Sequence, residues 1–360
     1  MNGSLVTGQK IAGRYVVENY LAEGGMQYVY IAYDEVTGQK IALKTPKNYS
    51  AEKRFHRSAI VSAKINHPNT AKTLDYVDEN HKTYLIEEFI EGMDLKKGLL
   101  DRTNYLDPYL VAKIFRHLAK GVAAAHHVGV VHRDLKPSNI MITGGFNINS
   151  LKVTDFGIAK MAEDEINDAV EGGNASIAAS ATAVGALPYM APEAINTPEA
   201  VGLPSDVWSV GAIILHLLYG DFPFGSGLRA VPNILNAKLS PQPSWIMEKS
   251  QFQPLAQDII SLAVSCLNLD PLKRPSCDEL VIKCNDFCYT STVRKEGFVK
   301  NIFYNSFGFI NSVDGDVFFH NDSVYGQPLN INDTVIFSSY ESGQAQAPRA
   351  LPVIKLHSQQ

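Results

Sequence analysis

The chain has 360 residues, 45% hydrophobic and 19% charged, enough for two ordinary domains with buried cores and too apolar for a disordered tail protein. Against 32 Lys plus Arg stand 37 Asp plus Glu, a formal charge of -5, which excludes an overall basic field that would draw it onto nucleic acid or anionic membrane. Any polyanion contact has to be local.

Residues 11–49 alternate apolar and polar positions with glycines between them, which predicts an antiparallel meander. The N-terminus before it lacks the basic start and apolar core of a secretory signal. Gly24 and Gly25 fall between two predicted strands, and Lys44 ends the apolar strand Ile41-Ala-Leu-Lys44. Alone, this is either a side-chain-free turn over a nucleotide's phosphates with a lysine reaching them, or a hairpin with a surface lysine. From about 108 the periodicity becomes helical, with segments 108–127 and 205–219 bounded by Pro, Gly and Asn. A small β lobe therefore precedes a larger helical lobe. Segment 161–184, rich in Ala, Ser and acids, reads as a mobile loop.

The apolar stretch 210–220 is too short to span a bilayer, so a soluble, cytoplasmic protein with no membrane partner is expected. Cys266, Cys277, Cys284 and Cys288 match no standard zinc spacing and read as buried reduced thiols on the last helices of the first domain rather than a metal or redox cluster. At 289–296 the helical pattern stops, and short aromatic-rich strands separated by Asn, Asp and Gly begin.

Three motifs carry the chemistry: His132-Arg-Asp-Leu-Lys-Pro-Ser-Asn139, then Asp155-Phe-Gly157, then Pro188-Tyr-Met-Ala-Pro-Glu193. On them, residues 11–288 resemble the protein kinases, specifically the eukaryotic-like serine/threonine kinases of bacteria. The resemblance implies a bilobal α+β fold, ATP and Mg2+ as cofactors, and protein substrates bearing Ser or Thr. It implies that Asp134 takes or orients the substrate hydroxyl's proton, that Asn139 and Asp155 hold magnesium, that Lys136 favours Ser/Thr substrates, and that Lys44 reaches the phosphates. Nucleotide contacts are then expected from Ala22, Gly24, Gly25, Val29, Ala42, Lys44, Glu87, Glu88, Ile90, Asp94 and Met141. A transferring phosphoryl group keeps several negative charges, so positioning and cations are what it needs. His67-Pro-Asn69, Asp206-Val-Trp-Ser209 and Arg274, the last expected to pair with Glu193, take structural roles.

Four departures matter. Ser58 stands where the family has the helix glutamate that pairs with the strand lysine, and Glu52, six residues earlier, lies on another helix face. Glu87 falls at the usually apolar gatekeeper position, which suggests that it replaces that glutamate and pairs with Lys44; a surface position after a one-residue shift is the competing reading. Gly185-Ala186 lacks the usual threonine, and Gln27 stands where a third loop glycine is common. The reacting residues are all present, so a working enzyme is favoured over a catalytically silent nucleotide-binding scaffold. Arg133 beside the catalytic aspartate makes Ser176, Ser180 and Thr182 candidates for activating phosphorylation, an ordinary solvated loop hydroxyl being the alternative for each.

Beyond a linker at 289–295, residues 296–356 resemble a cold-shock domain on Gly297 to Ile310, Asp316-Val-Phe-Phe-His320 and Leu329 to Phe337, which implies a five-stranded all-β barrel of the OB type. Alternation puts Phe307 with Phe309, and Phe318 with His320, on one face and Phe319 inward, a stacking platform for single-stranded RNA or DNA unless these rings simply fill the core. Asn301 replaces a common stacking tryptophan, and residues 295–357 carry four basic against six acidic side chains, so phosphate attraction is weak; protein docking or kinase regulation is the competing role.

Overall fold

A computed structural model of the chain describes residues 5–23, 27–47, 55, 59–156, 185–343 and 347–357. The alternating N-terminal segment forms strands β1 (Lys10–Ile11), β2 (Tyr15–Glu23), β3 (Gln27–Asp34) and β4 (Gln39–Pro46), joined by β5 (Thr73–Glu79) and β6 (Lys82–Glu88) in the order β1-β2-β3-β4-β6-β5. Period-two patterning sends Tyr15, Val17, Tyr30, Ala32, Ile41, Leu43 and Ile86 into one core. Pairing of β4 with β6 sets Ala42 opposite Glu87 and Lys44 opposite Leu85, so Lys44 and Glu87 are diagonal neighbours on one face.

The helical lobe is built on α1 (Pro108–His127), α2 (Leu203–Tyr219), α3 (Gln253–Cys266) and α4 (Cys277–Cys284). Asp107 caps α1, accepting from the Tyr109 and Leu110 amides, with Pro108 in the first turn where no N–H is needed. Helix α2 is apolar nearly all round and buried nearly throughout, as a central core helix must be. Arg274 forms a buried two-pronged pair with Glu193, at 2.6 and 2.8 Å, and lies over the Trp208 ring. Strands β7 (Met93–Asp94), β8 (Ile140–Thr143) and β9 (Ser150–Val153) make a small sheet on this lobe. No helix among the described residues is long and apolar enough to cross a membrane.

The C-terminal segment is a closed five-stranded barrel of β10 (Arg294–Phe303), β11 (Phe307–Ser312), β12 (Gly315–His320), β13 (Thr334–Tyr340) and β14 (Arg349–Lys355), ordered β10-β11-β12-β14-β13. Val299, Ile310, Val317, Phe319, Val335 and Phe337 fill it. Gly308 has no substitute there, because a Cβ would lie 2.2 Å from the Asn301 carbonyl oxygen.

The barrel is seated on the helical lobe. Tyr325, Ile336, Ile354 and Leu356 join the lobe's core, not the barrel's, and the Tyr325 ring lies 5.1 Å from Phe252 and 5.3 Å from Trp245. Gly326, at φ +85°, lets the backbone pass so close to Tyr105 that the Gln327 amide donates to the Tyr105 hydroxyl at 2.7 Å. Arg294 is buried and clamps Asp107, at 2.9 Å from Nη2 to Oδ1 and 2.7 Å from Nη1 to Oδ2. Strand β10 thus begins two residues inside the expected linker, because Arg294 finds a buried carboxylate. The cysteines also need one correction: Cys266, Cys277 and Cys284 are buried, but Cys288 lies past the end of α4 and is exposed. Burial pushes the Cys266 and Cys284 thiols up to about 12, which keeps them protonated and inert at neutral pH.

Candidate active site

The segment from His132 to Asn139 is held from beneath by Asp206 of α2. Its carboxylate accepts from the His132 and Arg133 amides at 2.8 Å each and meets the His126 ring at 2.9 Å. Arg133 at φ 69° and Asp155 at φ 63° are left-handed non-glycine residues, a local cost that the surrounding bonds sustain. Above this base Asp134 accepts from Lys136 Nζ at 2.8 Å and from Asn139 Nδ2 at 3.0 Å. Asn139 Nδ2 also donates to the Asp134 carbonyl, which leaves Asn139 Oδ1 as the acceptor for another group. The Asn139 carbonyl accepts from the Thr154 amide at 2.9 Å, so Asn139 and Asp155 are tied together through adjoining backbone.

Opposite lies a buried cluster. Lys44 Nζ is 2.6 Å from Glu87 Oε2 and 2.7 Å from Asp155 Oδ1, and Gln27 Nε2 donates to the same Asp155 oxygen at 3.2 Å. Burial alone would lower the Lys44 ammonium, but the carboxylates of Asp155 and Glu87 outweigh it and hold it above its usual range. Asp155 is lowered because Lys44 overcomes the burial that opposes it. Glu87 remains raised: burial dominates, and the neighbouring Asp155 offsets part of the help from Lys44.

Around this cluster, Ala22 faces Val29 across β2 and β3, Val29 faces Lys44, and Asp94 faces Met141 across β7 and β8. Ile90 is half-buried after β6. Glu88 departs from its neighbours, since its side chain accepts from Lys152 Nζ at 2.7 Å and from the Lys72 amide at 2.8 Å, which commits that side chain away from a nucleotide. Ala186 is buried. Gly24, Gly25, Glu52, Ser58, Gly157, segment 161–184 and with it Ser176, Ser180 and Thr182 lie outside the described residues. Gln27 was legible only as a missing glycine; its bond to Asp155, 128 positions away, has no signature in local sequence.

No group of three or more His, Cys, Asp or Glu side chains that would hold a metal occurs among the described residues. The fitting set is smaller and harder: one carboxylate and one amide oxygen, from Asp155 and Asn139, the oxygen chemistry magnesium takes when phosphates and water complete its shell.

The protein kinase domain family matches residues 15–284. The chain belongs to the protein kinase family. It is 30% identical over 274 residues to the probable serine/threonine-protein kinase pknA2 of Bifidobacterium longum, covering 73% of this chain and 31% of that protein. It is 29% identical over 275 residues to serine/threonine-protein kinase PrkC of Bacillus subtilis, covering 75% and 40%, and 28% identical over 268 residues to the probable kinase PknB of Lactococcus lactis, covering 70% and 40%. The chain therefore spans less than half the length of these relatives.

The family match ends before the barrel, whose exposed face is a second candidate site. Phe319 is buried in the barrel core while Phe307, Phe309 and Phe318 are half-buried and His320 exposed. Phe318 lies 5.8 Å from both Phe307 and Phe309. Two rings unread in the sequence extend the row: Phe303, 5.5 Å from Phe307, and the exposed Tyr304, 6.4 Å from it. Phe303 ends β10 opposite Phe307 and Tyr304 follows it in the turn, so alternation within β11 and β12 gave no reason to count them.

Proposed function

We propose that this kinase transfers the γ-phosphoryl group of ATP to serine and threonine hydroxyls of proteins, including its own. The observation that carries this is the convergence of Lys44, Asp134, Lys136, Asn139 and Asp155 with Asp134 clasped by Lys136 and Asn139. Asp134 orients the acceptor hydroxyl and takes its proton, and Lys136 sits beside it to meet the moving phosphoryl charge. Magnesium, held by Asn139 and Asp155, would supply charge neutralisation across the phosphates. Glu87 acts as the lysine's anchor in place of a helix glutamate, fixing Lys44 from strand β6. Ser176, Ser180 and Thr182 are the expected self-phosphorylated hydroxyls. Incorporation of labelled phosphate with magnesium and ATP, abolished by Asp134→Ala, is the expected result; equal labelling of that variant, or none of either, would overturn it.

The barrel fits an OB-type, cold-shock-like module that stacks bases of single-stranded RNA or DNA on Phe303, Phe307, Phe309 and Phe318. Each stacked base contributes about 1–3 kcal/mol with little sequence preference. Anisotropy titration with a short oligonucleotide should show binding that Phe307→Ala weakens about tenfold or more. Binding unchanged by that substitution, or absent in the unsubstituted protein, would favour a protein-docking role.

A further inference from the structure

The segment that joins the helical lobe to the barrel closes over a cavity of 230 Å³ bounded by α1, the turn at 146–149 and residues 290–294. Lys113, His117, Arg294, Asn149, Ser291 and Thr292 are among its polar lining residues, and no Asp or Glu among the described residues lines it. Arg294 is spoken for by Asp107. Lys113 is not: its ammonium donates to the Asn147 carbonyl at 2.7 Å and has no carboxylate partner among the described residues. One turn further along α1, Arg116 is likewise met by neutral oxygens only, Asn285 Oδ1 at 3.0 Å and the Tyr289 hydroxyl at 2.8 Å. In a protein of net charge -5, this junction carries unneutralised positive charge in a half-open pocket.

We propose that the cavity is a binding site for a small tetrahedral oxyanion of the phosphate class, held by Lys113 and by the hydroxyls of Ser291 and Thr292. The volume is below that of a drug-sized cleft and takes such an anion with a few waters. The electrostatics agree. Burial and then Arg294 hold the Lys113 ammonium below its usual range, and burial followed by Lys113, Lys120 and Arg116 pushes His117 down to about 4, so His117 is neutral at physiological pH and the surplus charge resides on Lys113. Because the walls come from α1 and from the segment entering β10, the bound anion stabilises the seated barrel and not the separated units.

The probe is inorganic phosphate against chloride at matched ionic strength, read by thermal unfolding of the full chain with a non-hydrolysable ATP analogue and magnesium filling the cleft. The expected result is a saturable rise in Tm whose midpoint moves at least tenfold higher in Lys113→Gln. Asn149→Asp, which puts a carboxylate into the cavity, should fold in chloride and lose the phosphate response. It remains decisive if Lys113→Gln fails to fold. No saturable rise in the unsubstituted protein, or the same midpoint in Asn149→Asp, overturns the assignment.

Discussion

Two buried charge clusters in this molecule use the same chemistry to opposite ends. In the cleft Lys44 faces two carboxylates, Glu87 and Asp155, and Asp155 stays 24% exposed on its side chain. Beneath the barrel Arg294 faces one carboxylate, Asp107, and the two side chains are 4% and 0% exposed. The junction pair is balanced, with Asp107 also receiving the first amides of α1, so it is closed to further ligands. The cleft cluster carries one anion more than it can neutralise and stays open at Asp155. Charge balance marks a joint, and charge excess with an open side marks a candidate site.

The sharpest way to break that contrast is to remove one charge from each cluster. Asp155→Ala should abolish transfer, by about a thousandfold or more, while the protein keeps its fold; a loss of folding with no specific loss of turnover would make the cleft another structural joint. Arg294→Met should do the reverse, costing about 3–5 kcal/mol in denaturant unfolding because Asp107 is left charged and unpaired, with part recovered in the double variant with Asp107→Asn. A cost under about 1 kcal/mol would show that water reaches the pair. Acid sharpens the same point through a group outside both clusters: burial holds His216 down to about 4, so the unfolded chain binds a proton there below about 6.5 that the folded one refuses. Stability should therefore fall as pH drops from about 6.5 towards 4, with about 2 kcal/mol lost from His216 between pH 7 and 4.5, measurable by denaturant titration at those two values. Smallest in stability, Glu87→Gln should leave Tm unchanged or slightly higher, since it removes a carboxylate whose charge is disfavoured by burial, yet lower turnover about tenfold as Lys44 loses its anchor. Unchanged nucleotide affinity and turnover would end the anchor assignment.

Much of the cleft was legible because kinase chemistry is written in short runs: Asp134, Lys136 and Asn139 lie within six residues, and their mutual bonds follow from that closeness. The Lys44–Glu87 pair was reached through a misplaced charge at an apolar position, a local anomaly that the β4–β6 register turns into a contact. The seat of the barrel was not legible. Its signal was present in Val335-Ile336-Phe337, a run with no polar alternation, which in a small barrel means a strand buried on both faces. Alternation reports only that a residue is covered. It does not report by what, so the contact of Ile336 and Ile354 with the lobe had no signal, and Arg294 was read as linker.

Helix α1 spans twenty residues, about 30 Å of rigid rod. At its first turn the capping carboxylate is gripped by an arginine of the barrel, and at its last turn His126 reaches the same Asp206 that holds the His132 and Arg133 amides. The rod is thus held at both ends by groups it does not own, and a pull on the barrel has one continuous solid body through which to arrive under the segment that carries Asp134.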